Sequence, residues 1–169
     1  DDFVRVAQAA QRPLQLEAVD TAVLMAEAVA DFEPQAAAQG VLLRTQTDAA
    51  LPPVAMDRAL VLRALGNLLS NAIKHSPRGA TVRLQALRAD GPGCVFEVAD
   101  RGPGMDAQAR QRLASHEGLL PTAAGGVGFG LLFVQRVARR HGGRLGARPG
   151  EGGRGSVLEL HIGSASGNP

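Results

Sequence analysis

The sequence is poor in aromatic residues. Its 169 residues include no Trp and no Tyr, and aromatic side chains make up only 3% of the chain. Hydrophobic residues nevertheless account for 45%, so a core must be built mainly from Ala, Leu and Val. A chain of this length is sufficient for one globular domain, with room for a short appended segment.

Cysteine and lysine are equally scarce. The single cysteine, Cys94, excludes an internal disulfide framework and fits a reducing compartment. Its apolar neighbours Val95, Phe96 and Val98 indicate a buried structural thiol. Of the 18 Lys and Arg residues only Lys74 is a lysine, and the formal net charge is +2. Because the basic residues are scattered and not interleaved with aromatics, we expect no nucleic-acid partner.

Long apolar runs are also absent. No segment approaches the roughly 18 apolar residues of a membrane-spanning helix, and no secretory signal opens the chain. We therefore expect a soluble, cytoplasmic domain.

Two of the three asparagines and the only lysine fall within one short stretch of this sequence. Apolar residues recur every three or four positions between Asp57 and Ser76, which predicts a helix. At spacings of four and three, Asn67, Asn71 and Lys74 line one strip of that helix. Amide oxygens suit a magnesium ion that already carries phosphates, and an ammonium group can contact phosphate oxygens. Taken alone, the strip is equally well interpreted as a solvated polar helix face.

The alternation of strands and helices predicts an α/β layered domain. Strands joined by short turns must be antiparallel, so the sheet is antiparallel or mixed, and a doubly wound sheet is disfavoured. Three of the helices are substantial. The predicted strands are 14–19, 41–47, 81–88, 94–99, 144–147 and 156–162, and the predicted helices are 2–11, 20–39, 57–76, 105–114 and 126–141.

Two glycine-rich pieces carry the remaining candidate chemistry. In Asp100-Arg101-Gly102-Pro103-Gly104 the carboxylate can accept a hydrogen bond from an exocyclic amine, and the glycines let a flat ring approach the backbone. The same residues also make a good strand-ending turn. Gly126-Val127-Gly128-Phe129-Gly130 opens a predicted helix, whose free N–H groups form an anion site. It lacks the preceding strand and the third glycine of a dinucleotide fingerprint.

These three pieces, in this order, resemble the motifs of a known family. Asn67–His75 resembles the Asn box of the catalytic, ATP-binding domain of bacterial sensor histidine kinases, whose wider family includes type II topoisomerase ATPase subunits, Hsp90 and MutL. Asp100–Gly104 resembles the first glycine box, and Gly126–Leu131 the second. The similarity extends from about Leu14 to Ile162. It implies the Bergerat fold, a two-layer α/β sandwich with a mixed, mostly antiparallel sheet packed on three helices.

The resemblance implies a role for each matching residue. Asn71 would coordinate the Mg²⁺ that bridges the triphosphate of ATP, and Asn67 would support the metal and the phosphates. Lys74 would contact phosphate, and His75 would lie along the same edge. Asn67 and Lys74 are the expected catalytic residues. Asp100 would bind the adenine amino group. The other matching residues would shape the base pocket or hold the phosphates and the hinge of a lid: Gly102, Gly104, Gly126, Gly128, Gly130 and Leu131.

The amide at Asn67 separates two reaction types. The ATPase branches of the family generally carry a Glu there to activate water, whereas an amide cannot serve as a general base. Hydrolysis should then be slow, and the γ-phosphoryl group is kept for an acceptor. Positioning and charge neutralisation do most of the work in such transfers. This favours a protein-histidine kinase over a hydrolase.

Two features depart from the family pattern. Residues 113–125 contain no Phe, Lys or Arg, where the family usually has a Phe-containing box and often a basic lid residue. No histidine matches the phosphoacceptor, because the pair His116-Glu117 falls in the predicted lid. We therefore expect residues 1–12 to be the end of a dimerisation helix, residues 13–163 the catalytic domain, and residues 164–169 a tail.

The resulting hypothesis is a domain that binds Mg-ATP and passes the γ-phosphoryl group to a His on a separate dimerisation domain of the same protein. That domain would in turn serve a response regulator. The isolated domain is expected to be a monomer, and the full-length protein a homodimer anchored in the inner membrane. Two alternatives stay open. One is a degenerate module that binds nucleotide, or none, and signals through contacts; the other is a protein-serine kinase of the anti-sigma type.

Overall fold

The computed structural model describes residues 12–115 and 128–163, and within them the chain forms seven strands and four α-helices. The predicted helix 2–11, Gly126, most of the predicted lid and the tail lie outside the described residues. The predicted domain boundaries after residue 12 and before residue 164 therefore stay predictions.

The elements follow one another along the chain in the alternating order that the sequence predicts. The strands are β1 (Leu16–Val19), β2 (Leu42–Thr47), β3 (Val54–Asp57), β4 (Thr81–Arg88), β5 (Gly93–Ala99), β6 (Leu145–Pro149) and β7 (Ser156–Gly163). The helices are α1 (Thr21–Gln39), α2 (Arg58–His75), α3 (Ala107–Ala114) and α4 (Phe129–Arg140).

Five of the strands form one mixed sheet in the order β2-β4-β5-β7-β6. Strand β2 pairs with β4 in parallel, with Leu42 opposite Thr81, and the other three pairings are antiparallel. Short connections join the antiparallel neighbours β4 and β5, and likewise β6 and β7. The parallel pair β2 and β4 is instead joined by a crossover that contains α2. The mixed, mostly antiparallel sheet is the one that the sequence predicts.

A second, two-stranded sheet was not predicted. Strand β1 pairs antiparallel with β3, with Leu16 opposite Asp57. The sequence pattern predicts a turn at 51–53 and then the helix, without β3, because four residues are too few to show an alternating pattern. Strand β1 is also shorter than predicted, since the backbone N–H of Gln15 donates to the Asp57 carboxylate at 3.0 Å rather than to a strand partner.

The two long helices begin and end where their capping residues predict. Asp20 accepts hydrogen bonds from the N–H groups of Ala22 and Val23 at 2.9 and 3.2 Å, and Gly40 ends α1 with φ at 67°. Asp57 caps α2 through the N–H of Leu60 at 3.2 Å. These caps satisfy first-turn N–H groups that a helix leaves without intrahelical partners.

The core lies between the five-stranded sheet and the helices α1, α2 and α4. Helix α2 packs on both α1 and α4 and is the central helix of the layer. Its inward face carries apolar side chains, each of which contributes about 1.5–3 kcal/mol on burial: Leu60, Val61, Leu65, Leu68, Leu69 and Ile73. Cys94 faces the same core with no exposed area, and burial raises the pKa of its thiol to about 12, which confirms the predicted structural thiol.

Candidate functional site

The polar strip of α2 lies beside the core face of the helix rather than within it. Asn67 and Asn71 are half-buried, whereas Lys74 and His75 are exposed. Their helical neighbours Leu68 and Leu69 have no exposed area. The strip therefore forms one border of the helix layer, where amide and ammonium groups remain accessible to a ligand.

The start of α4 lies against the N-terminal part of this strip. Asn67 Nδ2 donates to the carbonyl oxygen of Gly130 at 3.4 Å, and a Cβ placed on Gly130 would lie 3.6 Å from Asn67 Cγ. Gly128 caps α4 without a side-chain hydrogen bond, and a Cβ placed on it would meet no described residue within 4 Å. No described side chain thus covers the first-turn N–H groups of α4 at Gly128, an arrangement suited to an anion.

The turn that follows β5 lies against the opposite end of the strip. A Cβ placed on Gly102 would come within 2.6 Å of the carbonyl oxygen of His75, so only glycine permits this approach. Gly104 has φ at 81°, in the left-handed region, and a Cβ there would lie 3.1 Å from the Gly155 carbonyl oxygen. The backbone N–H of Arg101 also donates to Ser76 Oγ at 3.4 Å. The turn is thereby held at the C-terminal end of α2.

Asp100 is held rigidly between this turn and β7. Its Oδ1 accepts hydrogen bonds from the N–H groups of Gly102 at 2.8 Å and Ser156 at 3.2 Å, and the residue is only 9% exposed. Within the described residues its second oxygen, Oδ2, accepts no hydrogen bond. A fixed carboxylate with one oxygen available can accept a hydrogen bond from the amine of a ligand.

The two glycine-rich pieces therefore contact α2 at two points of the same strip. Gly102 contacts the helix at His75 and Gly130 contacts it at Asn67. These contact points are eight residues apart, which corresponds to about 12 Å along the helix axis. A nucleotide with its base at Asp100 and its phosphates at the start of α4 would lie along the strip between them.

Two residues of the Gly126–Leu131 motif, its first and its last, are not placed at the candidate site. Gly126 lies outside the described residues, so its predicted contact with phosphate stays a prediction. Leu131 is only 5% exposed and packs in the core, and its N–H donates to the carbonyl oxygen of Gly128 at 3.1 Å. Leu131 therefore anchors the start of α4 and presents neither its side chain nor a free N–H to a ligand.

A buried polar network at the other end of α2 was not predicted. The Asp57 carboxylate accepts from Arg12, from Gln15 and from its capping partner Leu60. Burial on its own would raise the pKa of Asp57, but these hydrogen bonds outweigh it and lower the pKa. The cap at Asp57 was predicted, but its link to β1 and α4 depends on residues that are distant in sequence.

His141 completes this network from the end of α4. Its ring has no exposed area, its Nε2 accepts from the Asp57 N–H at 3.0 Å, and its Nδ1 lies 2.7 Å from the Val137 carbonyl oxygen. This geometry requires a neutral ring with the proton on Nδ1. Burial lowers the pKa of His141, and hydrogen bonding to Val137 and the charge of Asp57 oppose that shift only in part.

Two cavities of the described part lie away from the strip. A cavity of about 420 Å³ lies between the end of α3, α4 and β7, and one of about 410 Å³ lies beside the 51–55 segment. The described residues that line them include none of the Asn67–Lys74 strip and not Asp100. The candidate site is thus an open edge of the domain, formed by helix ends and turns.

Metal ligands of the acidic or imidazole type are not clustered in the described part. Residues 12–115 and 128–163 contain no group of three or more His, Cys, Asp and Glu side chains that could hold a metal ion. The Asn71 amide makes no hydrogen bond to another described residue, so its oxygen is available. This donor set fits a Mg²⁺ ion that is held mainly by substrate phosphates and completed by an amide oxygen and water. In the same described ranges, no helix is both long and apolar enough to cross a membrane.

Sequence comparisons relate the chain to one family. A profile described as "Histidine kinase-, DNA gyrase B-, and HSP90-like ATPase" matches residues 56–165. The chain is 32% identical over 149 residues to the alginate biosynthesis sensor protein KinB of Pseudomonas aeruginosa, covering 87% of this chain and 25% of that protein. It is 33% identical over 151 residues to the sensor-like histidine kinase SenX3 of Mycobacterium tuberculosis, covering 86% of this chain and 36% of that protein. The chain thus spans between a quarter and about a third of the length of these curated relatives.

Solved structures agree with the sequence comparisons. Full-length ShkA, crystallised in complex with AMPPNP, superposes with a TM-score of 0.77 at 31% identity, covering 98% of this chain and 35% of that one. The catalytic domain of the histidine kinase ThkA superposes with a TM-score of 0.72 at 19% identity, covering 88% of this chain and 97% of that one. The second likeness supports the fold.

Proposed function

The chain belongs to the histidine kinase-, DNA gyrase B- and HSP90-like ATPase family as a catalytic, ATP-binding domain of the sensor histidine kinase type, and from that premise we propose that it binds Mg-ATP and transfers the γ-phosphoryl group to a histidine on a separate domain. The same proposal includes the acceptor domain, a homodimeric full-length protein, a response regulator and an inner-membrane anchor.

One observation carries the proposal. The turn at Gly102 and the helix start at Gly130 both contact α2, at His75 and at Asn67. The groups that we propose for binding the base and the phosphates therefore lie along one strip. Neither glycine-rich piece alone specifies a nucleotide, because each also serves as an ordinary turn or helix start. Their convergence on the same amide-bearing strip supports ATP as the ligand.

The residues divide the recognition of ATP between them. Asp100 would accept a hydrogen bond from the adenine amino group through Oδ2, while Gly102 and Gly104 leave space for the ring. Asn71 would supply an amide oxygen to the metal. The N–H groups at the start of α4 would bind phosphate oxygens, and Lys74 would add a charge to the same edge. A bound Mg²⁺ ion supplies charge neutralisation between the phosphates.

The transfer itself needs little covalent chemistry from this chain. A ring nitrogen of the acceptor histidine attacks the γ-phosphorus, the bond from that phosphorus to the β–γ bridging oxygen breaks, and ADP leaves with the electron pair. The acceptor ring loses its proton to solvent. Asn67 donates to the Gly130 carbonyl and, being an amide, cannot activate water for the competing hydrolysis.

The decisive experiment uses γ-labelled ATP and the full-length protein that contains this chain. We expect label on the protein that is stable to alkali and lost in acid, as for phosphohistidine, with little release of inorganic phosphate. Acid-stable label would instead support the serine kinase. Rapid phosphate release without labelled protein would support a hydrolase and contradict the proposal.

A second candidate function is a nucleotide-binding module that does not turn over. It is favoured by the sequence of residues 113–125, which contains no Lys or Arg to approach the γ-phosphate. Titration of the chain with labelled ATP, with and without magnesium, distinguishes binding from catalysis. Magnesium-dependent ATP binding without any phosphotransfer by the full-length protein would support this candidate.

A further inference from the structure

Arg63 extends the polar strip of α2 by one turn. It lies four residues before Asn67, as Asn67 lies four residues before Asn71, so the three side chains share one side of the helix. Arg63 is exposed, and within residues 12–115 and 128–163 its guanidinium makes no hydrogen bond and no ion pair. The strip therefore ends in a cation whose five N–H donors are not used by the described part of the protein.

The position of this cation is set by an aromatic ring of α4. The guanidinium carbon of Arg63 lies 4.6 Å from the centroid of Phe133, a residue that is only 2% exposed. A cation over an aromatic face is attracted by the ring quadrupole. Phe133 lies three residues after Gly130, so the ring beneath the guanidinium belongs to a residue about one helical turn along α4 from Gly130.

Two other arginines near α2 are engaged elsewhere. Arg58 pairs with Glu27, and Arg101, on the turn after β5, lies 4.0 Å from Glu151. Lys74 lies next to His75, at the end of the strip that contacts Gly102. Arg63 is thus the cation of the strip beyond the contact between Asn67 and Gly130.

The direction of the bound nucleotide follows from these contacts. With the base at Asp100, near His75, the phosphate chain runs toward Asn67 and the start of α4, and its last group points toward Arg63. The terminal phosphate carries charge that the first-turn N–H groups neutralise only partially. Residues 113–129 contribute no Lys or Arg to this charge balance.

We infer that Arg63 binds the terminal phosphate group of ATP and that Phe133 positions it to do so. The inference rests on the proposed function, because it assumes ATP along the strip. A planar guanidinium can give two parallel hydrogen bonds to two phosphate oxygens, which an ammonium group cannot do in the same geometry. Arg63 therefore distinguishes a nucleoside triphosphate from the diphosphate that leaves after transfer.

The test compares the affinity of the chain for AMPPNP and for ADP, both with magnesium, by calorimetric titration. Arg63→Met should weaken AMPPNP binding about tenfold or more and leave ADP binding within about twofold, because only AMPPNP carries the third phosphate. Arg63→Lys should recover part of the loss. Arg136→Met is the matched control, since Arg136 is an exposed arginine of α4 with no hydrogen bond or ion pair to the strip in the described part, and both affinities should remain unchanged.

A variant of the ring tests how Arg63 is positioned. Phe133→Leu keeps an apolar side chain in the core but removes the aromatic face, so AMPPNP binding should weaken while ADP binding persists. Thermal unfolding of each variant confirms that it is folded before titration. Equal weakening of both nucleotides by Arg63→Met, or no change in either, would overturn the inference while leaving the proposed function intact. Failure of the unmodified chain to bind ADP or AMPPNP would overturn both.

Discussion

The backbone N–H of Asp57 donates to Nε2 of His141 at 3.0 Å, across 84 residues of chain. The contact joins the first residue before α2 to the first residue after α4. The hydrogen bond from Asn67 to Gly130 joins the same two helices at the polar strip. Two polar contacts therefore fix α4 relative to α2, one at each end of their interface. The start of α4, where we propose that phosphate binds, is held in place partly by a hydrogen bond at the far end of the helix.

This network makes stability depend on pH in a defined direction. The pKa of His141 is lowered below its ordinary value of 6.5 by burial. At pH values between the lowered pKa of the folded state and the ordinary pKa of 6.5, the unfolded chain takes up a proton at this histidine that the folded chain does not. The free energy of unfolding therefore falls as pH decreases below about 6.5. Urea denaturation between pH 8 and pH 5 measures this fall.

Replacement of His141 separates its titration from that of other groups. His141→Gln should lower stability at pH 8 by about 1–3 kcal/mol, because the Asp57 N–H loses a well-placed acceptor. It should also flatten the profile between pH 6.5 and pH 5. His161→Gln, at a partly exposed histidine, is the control and should retain the fall. A profile that His141→Gln leaves unchanged would contradict the role of the buried ring.

Replacement of Asp100 by Asn tests the proposed base-binding role of this carboxylate without removing its structural role. The retained Oδ1 can still accept from the N–H groups of Gly102 and Ser156, so the turn should persist. The new amide group would face the adenine amine with a donor, and nucleotide affinity should fall by roughly 2 kcal/mol, or about 30-fold. Asp106→Asn, at the exposed cap of α3, should leave affinity unchanged. An unaltered affinity of Asp100→Asn for ADP would show that the base binds elsewhere.

Replacement of Asn71 by Ala tests the proposed role of Asn71 as a metal ligand. We expect ATP affinity in magnesium to fall about tenfold or more, and ATP affinity in EDTA to change little, because the amide oxygen acts through the ion. Ser70→Ala is the control, since Ser70 lies on the side of α2 that faces α1 and accepts from Gln35 at 3.3 Å. If Asn71→Ala lowered ATP affinity equally in magnesium and in EDTA, the residue would not be a metal ligand.

Gly102 and Gly128 predict opposite effects of an added methyl group on stability. Gly102→Ala would bring a Cβ within 2.6 Å of the His75 carbonyl oxygen, so the protein should lose about 1–3 kcal/mol of stability. In Gly128→Ala the added methyl group meets no described residue within 4 Å, and φ at this position is −69°, so the melting temperature should change little. Its methyl group would nevertheless occupy the open space at the start of α4 and weaken nucleotide binding. Thermal unfolding and ADP titration of both variants measure this difference. Equal melting temperatures of Gly102→Ala and Gly128→Ala would contradict it.

Local patterns in the sequence determined most of the secondary structure and the fold class. The caps at Asp20 and Asp57, the glycine at Gly40 and the periodicity of α2 depend on residues within a few positions of one another. The comparisons and the sheet order confirm the mixed α/β sandwich that these patterns and the family resemblance predicted. The motifs by themselves also identify Asn67, Asn71 and Asp100 as candidate site residues.

Only the tertiary structure decided which of these residues meet. The pairing of β1 with β3, the bond from Asp57 to His141, the approach of Gly102 to His75 and the placement of Arg63 over Phe133 join residues between 27 and 84 positions apart. Such contacts depend on how whole helices and strands pack, and periodicity reports only which face of an element is apolar. The sequence therefore determined the family and the candidate residues of the site, and packing decided their arrangement along α2.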